Sequence, residues 1–133
     1  MSRPAERAPD VILDVDYENG AFVLVLVNIG GDLACEVKVK FGRKLAGIAG
    51  QRAVSEAGVF RKLAYLRPGK AIRVFLDSAP LLFARRKRNA FRADVRYRDR
   101  TGNEYAQTFI HDLDVYRDLP EMRGVASPLR EHP

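Results

Sequence analysis

At 133 residues the chain suits one domain, long enough to bury roughly two-thirds of its surface without a metal or disulfide staple. A composition of 47% hydrophobic and 30% charged residues excludes a disordered chain. The net charge of +6, from 23 basic and 17 acidic residues, permits attraction to nucleic acid or anionic lipid but fixes no fold.

Residues 1–9 carry two prolines and no periodicity, which predicts a loose arm. They contain no apolar run of the kind a secretory signal needs, and the longest apolar run, Ala21 to Val27, is too short to span a bilayer. The expectation is a cytoplasmic protein with no membrane span. From Asp10 the chain alternates: Val11, Leu13, Val15 and Tyr17 share one face, Asp14 and Asp16 the other. That is a half-buried strand. Glu18-Asn19-Gly20 supplies a hairpin turn, because Asn and Gly both tolerate positive φ. Ala21 to Val27 is apolar at every position and β-branched enough to read as a central strand. Cys35, Val37, Val39 and Phe41 then alternate with Glu36, Lys38 and Lys40, which predicts a strand with the first set inward. Cys35 is the only cysteine, so no internal disulfide can form, and its apolar neighbours predict an inert core thiol.

Four glycines punctuate residues 42–62, where a short strand or helix is expected inside a long connection. Phe60, Leu63 and Tyr65 begin the next strand. Arg67-Pro68-Gly69-Lys70 has Pro and Gly where a type II turn places them, and Ile72, Val74 and Leu76 follow. Residues 81–90 form a connection with an apolar start and a basic end. Phe91, Ala93, Val95 and Tyr97 then alternate with Arg92, Asp94, Arg96 and Arg98, and residues 99–103 turn the chain into a last strand, Tyr105 to Leu113. About seven strands with turns between them and no long helix predict an antiparallel sandwich.

Three stretches carry a resemblance. Val25-Leu26-Val27-Asn28-Ile29-Gly30-Gly31 is followed by Ala34 and the alternating Val37, Val39 and Phe41; Leu66-Arg67-Pro68-Gly69 leads to Ile72 and Val74; and Tyr97-Arg98-Asp99-Arg100-Thr101-Gly102 forms a hairpin. Together they are similar to bacterial CARDB-type and related immunoglobulin-like domains. The resemblance implies an all-β fold, a single antiparallel immunoglobulin-like β-sandwich of seven strands used for binding or as a spacer, with no catalytic residues to carry over. The expected organisation is an arm at 1–9, the sandwich at 10–117 and a tail at 118–133.

The motifs of catalysis do not emerge. His111 and His132 are the only histidines, no nucleophile elbow or phosphate loop is present, and no Cys/His set has zinc spacing. Asp14-x-Asp16-x-Glu18-Asn19-Gly20 departs from calcium-loop spacing, because its Gly is seventh and Val25 is twelfth. It reads as a solvated strand face. His111-Asp112-x-Asp114 reads as a strand ending in polar residues. The expectation is a non-catalytic domain with no cofactor and no metal.

One feature is asymmetric. In an immunoglobulin-like sandwich the third, sixth and seventh strands share a sheet. Alternation puts Lys38, Lys40, Arg92, Arg96 and Arg98 on its outer face, with Arg85, Arg86, Lys87 and Arg88 entering at one end and Arg43-Lys44 leaving nearby. If residues 99–103 form the loop, Tyr97 pairs with Tyr105 inside and Arg98 with Glu104 outside. The same register turns Gln107 inward and Ile110 outward, which a bulge near residue 107 would repair. Three uses of the basic face remain open: a solvated surface, docking of an acidic protein partner or assembly subunits, and nucleic-acid backbone binding. The last lacks the aromatic side chains on that face that single-strand binders stack on.

Overall fold

Asn19 and Gly20 both adopt positive φ, 52° and 75°, and fold β1 (Val11–Glu18) back on β2 (Ala21–Asn28) in unbroken antiparallel register. The computed structural model describes residues 7–119. Along the chain follow β3 (Ala34–Phe41), β4 (Ala46–Gly47), β5 (Arg52–Ala53), a one-turn helix α1 (Gly58–Arg61), β6 (Leu63–Leu66), β7 (Ala71–Ser78), α2 (Ala79–Arg85), β8 (Ala90–Arg98) and β9 (Glu104–Asp112).

Seven of these strands make two antiparallel sheets, ordered β1-β2-β7 and β6-β3-β8-β9, while β4 and β5 form a separate small hairpin. The fold is an antiparallel β-sandwich. The third, sixth and seventh long strands share a sheet, as the immunoglobulin-like order requires. The fourth, β6, joins that same sheet beside β3 and leaves the other with three strands.

Alternation builds the core. Val11, Leu13, Phe22, Leu24 and Leu26 of the first sheet meet Val37, Phe91, Ala93, Val95 and Tyr97 of the second, all buried. Each fully buried Leu or Phe contributes roughly 1.5–3 kcal/mol before chain entropy is set against it. Phe60 from α1 and Leu82 from α2 close the space at its margins. β2 lies between β1 and β7, the central place expected of its continuous apolar run.

Asn28 fastens one end. Its side chain is fully buried; its Oδ1 accepts from the amides of Asp10 (3.1 Å) and Gly30 (2.9 Å), and its Nδ2 donates to the carbonyls of Asp32 (2.8 Å) and Leu66 (2.9 Å). A Cβ on Gly30 would run into the Ala8 carbonyl and the Asp10 amide. Of the arm expected at 1–9, residues 1–6 lie outside the described residues. Ala8 and Pro9 are not loose: Ala8 accepts from Gly31 N at 3.1 Å and Pro9 is buried. Of the expected tail, residues 120–133 lie outside the description.

Three expectations need correction. β3 carries a bulge: its pairing with β8 shifts between Cys35 and Lys38, and Glu36 sits at φ 51°. Ala34 and Val37 therefore both face the core, and Cys35, half-exposed between Tyr65 and Arg98, faces outward rather than inward. Phe60 belongs to α1, and Tyr65 points out of the sheet at 63% exposure. No bulge interrupts β9, whose nine residues pair regularly with β8. Gln107 does point inward, where its Nε2 lies 2.8 Å from Asp10 Oδ1, 3.0 Å from the Val11 carbonyl and 3.0 Å from Tyr97 Oη. Ile110 stays outward at 75% exposure.

Candidate functional site

The β3–β8 pair sets out the basic face row by row. Lys38 lies opposite Arg96, Lys40 opposite Asp94, and Cys35 opposite Arg98. Lys38, Lys40, Arg92, Arg96 and Arg98 are all exposed, as the alternation predicts. Their charges are not equally available. Arg92 Nε reaches Asp94 Oδ1 at 3.1 Å, and Arg98 Nη2 reaches Glu104 Oε2 at 3.0 Å across the β8–β9 hairpin. The Asp94 carboxyl also accepts from Thr108 Oγ1 at 2.6 Å; that bond, ahead of Arg92 and Arg96, holds it below its ordinary range. Lys38, Lys40 and Arg96 have no ion pair among the described residues.

The basic run entering β8 divides. Arg85 is the last residue of α2 and turns inward, with Nη1 2.8 Å from Asp77 Oδ2 and Nη2 3.0 Å from the Ala46 carbonyl. Asp77 is buried and also accepts from the amides of Ala49 and Ser78, so this pair pins the β4–β5 hairpin to β7. The structure thus does not bring Arg85 to the face. Arg86, Lys87 and Arg88 are exposed beyond the helix. Arg43 joins them at that end: its Nε donates to the Ala90 carbonyl at 3.2 Å, and burial, then the charge of Arg86, lowers its pKa.

The short helix adds a member that sequence reasoning missed. Arg61 on α1 packs beside β3 and shares two shallow depressions with it. One, of about 420 Å³, is lined by Lys38, Lys40, Arg61, Arg96 and Asp94 over Val39 and Phe60. The other, of about 310 Å³, continues along Lys40, Arg43, Lys44 and Arg61. A third, of about 380 Å³, opens on the other side of Lys38 and Arg96 toward Glu104 and Ala106. The Lys38–Arg96 row is therefore the divide between depressions on both flanks. Arg61 itself pairs with Glu56 at 3.2 Å, both exposed. No sequence signal marks Arg61, because nothing in residues 42–62 tells which way α1 will lie.

Tyr65 lies on this same outward face, in the row with Cys35 and Arg98, so the face is not without an exposed aromatic ring. The candidate metal groupings have other roles. Asp16 and Glu18 hold Arg73 at 2.6 and 2.8 Å; His111 Nε2 meets the Leu13 carbonyl at 2.7 Å; Asp114 accepts from Asn89 and Arg117. Among the described residues no three His, Cys, Asp or Glu side chains are grouped to hold a metal, and no helix is long and apolar enough to cross a membrane.

No curated protein and no solved structure matches the chain. A family described as a domain of unknown function (DUF8453) matches residues 1–117, so the fold and the basic face just described are those of a member of that family, to which this chain belongs.

Proposed function

We propose that the domain is a non-catalytic interaction module that docks an acidic protein segment on the outer face of the β6-β3-β8-β9 sheet. The observation that carries this reading is the Lys38–Arg96 pair. Like charges directly opposite on neighbouring strands are destabilising, by the mirror of the roughly 0.2–1 kcal/mol that opposite charges contribute. Elsewhere on the face the cations are matched, Arg92 with Asp94 and Arg98 with Glu104. Lys38, Lys40 and Arg96 form no ion pair among the described residues, the nearby Asp94 being bonded to Arg92 and Thr108, and a bound anion would supply a direct partner.

Rim cations of this kind act mainly on association rate and its salt dependence. Binding of a fluorescent deca-glutamate peptide, followed by anisotropy at low salt, is expected to weaken tenfold or more in the Lys38→Glu/Arg96→Glu variant and to fade as salt rises. A charge-reversed variant that binds the peptide as well as the parent would overturn the proposal. Nucleic-acid backbone binding is a second reading, favoured by Tyr65 on the same face as a single stacking surface. A dT oligomer that binds more tightly than the peptide, and loses affinity in Tyr65→Ala, would replace the first reading with the second.

A further inference from the structure

The sandwich has four sheet edges, and they are treated differently. The β1 edge is sealed by side chains: Gln107 Nε2 approaches the Val11 carbonyl at 3.0 Å, His111 Nε2 meets the Leu13 carbonyl at 2.7 Å, and Asp14 Oδ1 accepts from the Val15 amide at 2.8 Å. The β7 edge is covered where Ile48 donates to the Leu76 carbonyl at 2.8 Å. The β6 edge is only four residues long. The β9 edge is nine residues long, and its main chain has no backbone partner other than β8 among the described residues.

Proteins blunt long edges with lysine, proline, a bulge or a covering segment. β9 has none of the first three. Its outward side chains are Glu104, Ala106, Thr108, Ile110 and Asp112, its register is unbroken, and its inward polar residues Gln107 and His111 serve the β1 edge instead. Ile110, at 75% exposure, would gain a neighbour from an added strand.

Ala106 links this edge to the basic face. It lines the 380 Å³ depression together with Lys38 and Arg96, and it is Arg96's partner on β9. A strand beside β9 would place its backbone about 10 Å, two strand spacings, from β8. A glutamate opposite Ala106 would then lie over a methyl group, with Arg96 leaning toward it from the far side.

We infer that the acidic partner binds as an extended strand added to the free edge of β9, with a glutamate passing over Ala106 to meet Arg96 and Lys38. This rests on the acidic-partner reading above and supplies its mode. Main-chain bonds to β9 would give affinity and the alternate side chains register, the usual division of labour in strand addition.

The probe is a ten-residue peptide alternating glutamate with threonine and valine, titrated into the isotope-labelled full chain while amide exchange is followed residue by residue. In an antiparallel pair successive residues alternate between bonding across the pair and facing away from it. Every second amide of Glu104–Asp112, those turned from β8, is therefore expected to slow tenfold or more on binding. Arg96→Glu and Ala106→Trp should each weaken binding about tenfold without lowering the melting temperature. Peptide binding that leaves β9 exchange unchanged would overturn strand addition while sparing the acidic-partner reading. Failure of both this peptide and deca-glutamate to bind would end both. Protection of the same amides in the free protein, with the mass of a dimer, would assign the edge to a second copy and also overturn the proposal.

Discussion

Replacing Asn28 by alanine tests whether one buried amide holds the end of the sandwich where the N-terminal segment, the β2–β3 turn and β6 converge. The side chain makes four hydrogen bonds between 2.8 and 3.1 Å and is fully buried. Each net hydrogen bond contributes about 1 kcal/mol, and a partner left buried without a bond costs about 1–3 kcal/mol. The Leu66 carbonyl is the partner most deeply enclosed, whereas Asp10, Gly30 and Asp32 lie closer to solvent and can recover water. The sum is about 4 kcal/mol, a large part of the 5–15 kcal/mol typical of a domain. At about 4 °C per kcal/mol for a domain of this size, the melting temperature should fall by roughly 15 °C. Calorimetry with a parallel urea titration measures it. Asn28→Asp separates hydrogen bonding from volume: it keeps the oxygen that accepts from Asp10 and Gly30, loses the two donated bonds and aims a carboxylate oxygen at the Asp32 and Leu66 carbonyls. It should be at least as unstable at neutral pH and recover as acid protonates it. A loss below about 1 kcal/mol in the alanine variant would refute the assignment of the four bonds to stability.

Val95→Asp buries an unpaired charge at a fully enclosed position facing Val39, and should abolish the cooperative melt; a native-like curve would remove Val95 from the core. Arg85→Ala leaves Asp77, 2% exposed, without its cation and should cost about 3 kcal/mol by urea denaturation, with no loss of deca-glutamate binding. Equal stability, or lost binding, would return Arg85 to the face. Asp99 holds the β8–β9 turn. Bonds from the Asn103 side chain, then Thr101, the Asn103 amide and Tyr105, depress its carboxyl well below the usual range. A depressed carboxyl stabilises above its unfolded value, about 3.9, and loses that contribution as pH falls through the folded one. The melting-temperature gap between the parent and Asp99→Ala should therefore be flat above about pH 5 and narrow below about pH 4; a gap that widens in acid would reverse the sign.

The long strands were legible because the period of two is a local property: Val11 to Tyr17 and Phe91 to Arg98 announce their inner faces within eight residues or so. Gln107 was misleading for the opposite reason. Two of its three partners, Asp10 and Val11, lie 97 and 96 residues away; with only Tyr97 close in sequence, the inward position of a polar residue looked unsatisfied and a bulge looked necessary. Residues 42–62 resisted reading because what orders them is on β7: the Leu76 carbonyl and the Asp77 carboxylate hold Ile48 and Ala49, both at positive φ. The short helix α1 is in turn set by Phe60 packing on Phe41 of β3, a contact between chain segments that the local pattern does not show, so Arg61 is not legible as part of the site. Arg85 and Arg86 look alike in a basic run; only the end of α2, set between them, turns the first toward Asp77 and leaves the second outside.

The bulge at Glu36 ties fold to site. A non-glycine residue in the left-handed region costs roughly 1–2 kcal/mol, so something must hold it there. What holds it is the core: with one extra residue opposite Tyr97, both Ala34 and Val37 turn inward, whereas strict alternation would expose Ala34 across from buried Leu66. On the outer side the same extra residue spreads the Lys38–Arg96 row from the Arg98–Glu104 row, and the depression beside Ala106 is lined by residues of both. Glycine at position 36 would keep the bulge, relieve its backbone strain and remove a carboxylate lining the depression with Lys38. Glu36→Gly should therefore raise the melting temperature by a few degrees, as about 1 kcal/mol implies, and bind deca-glutamate more tightly. A destabilised Glu36→Gly variant with weaker peptide binding would mean that the glutamate side chain, not the core on either side of it, fixes the bulge.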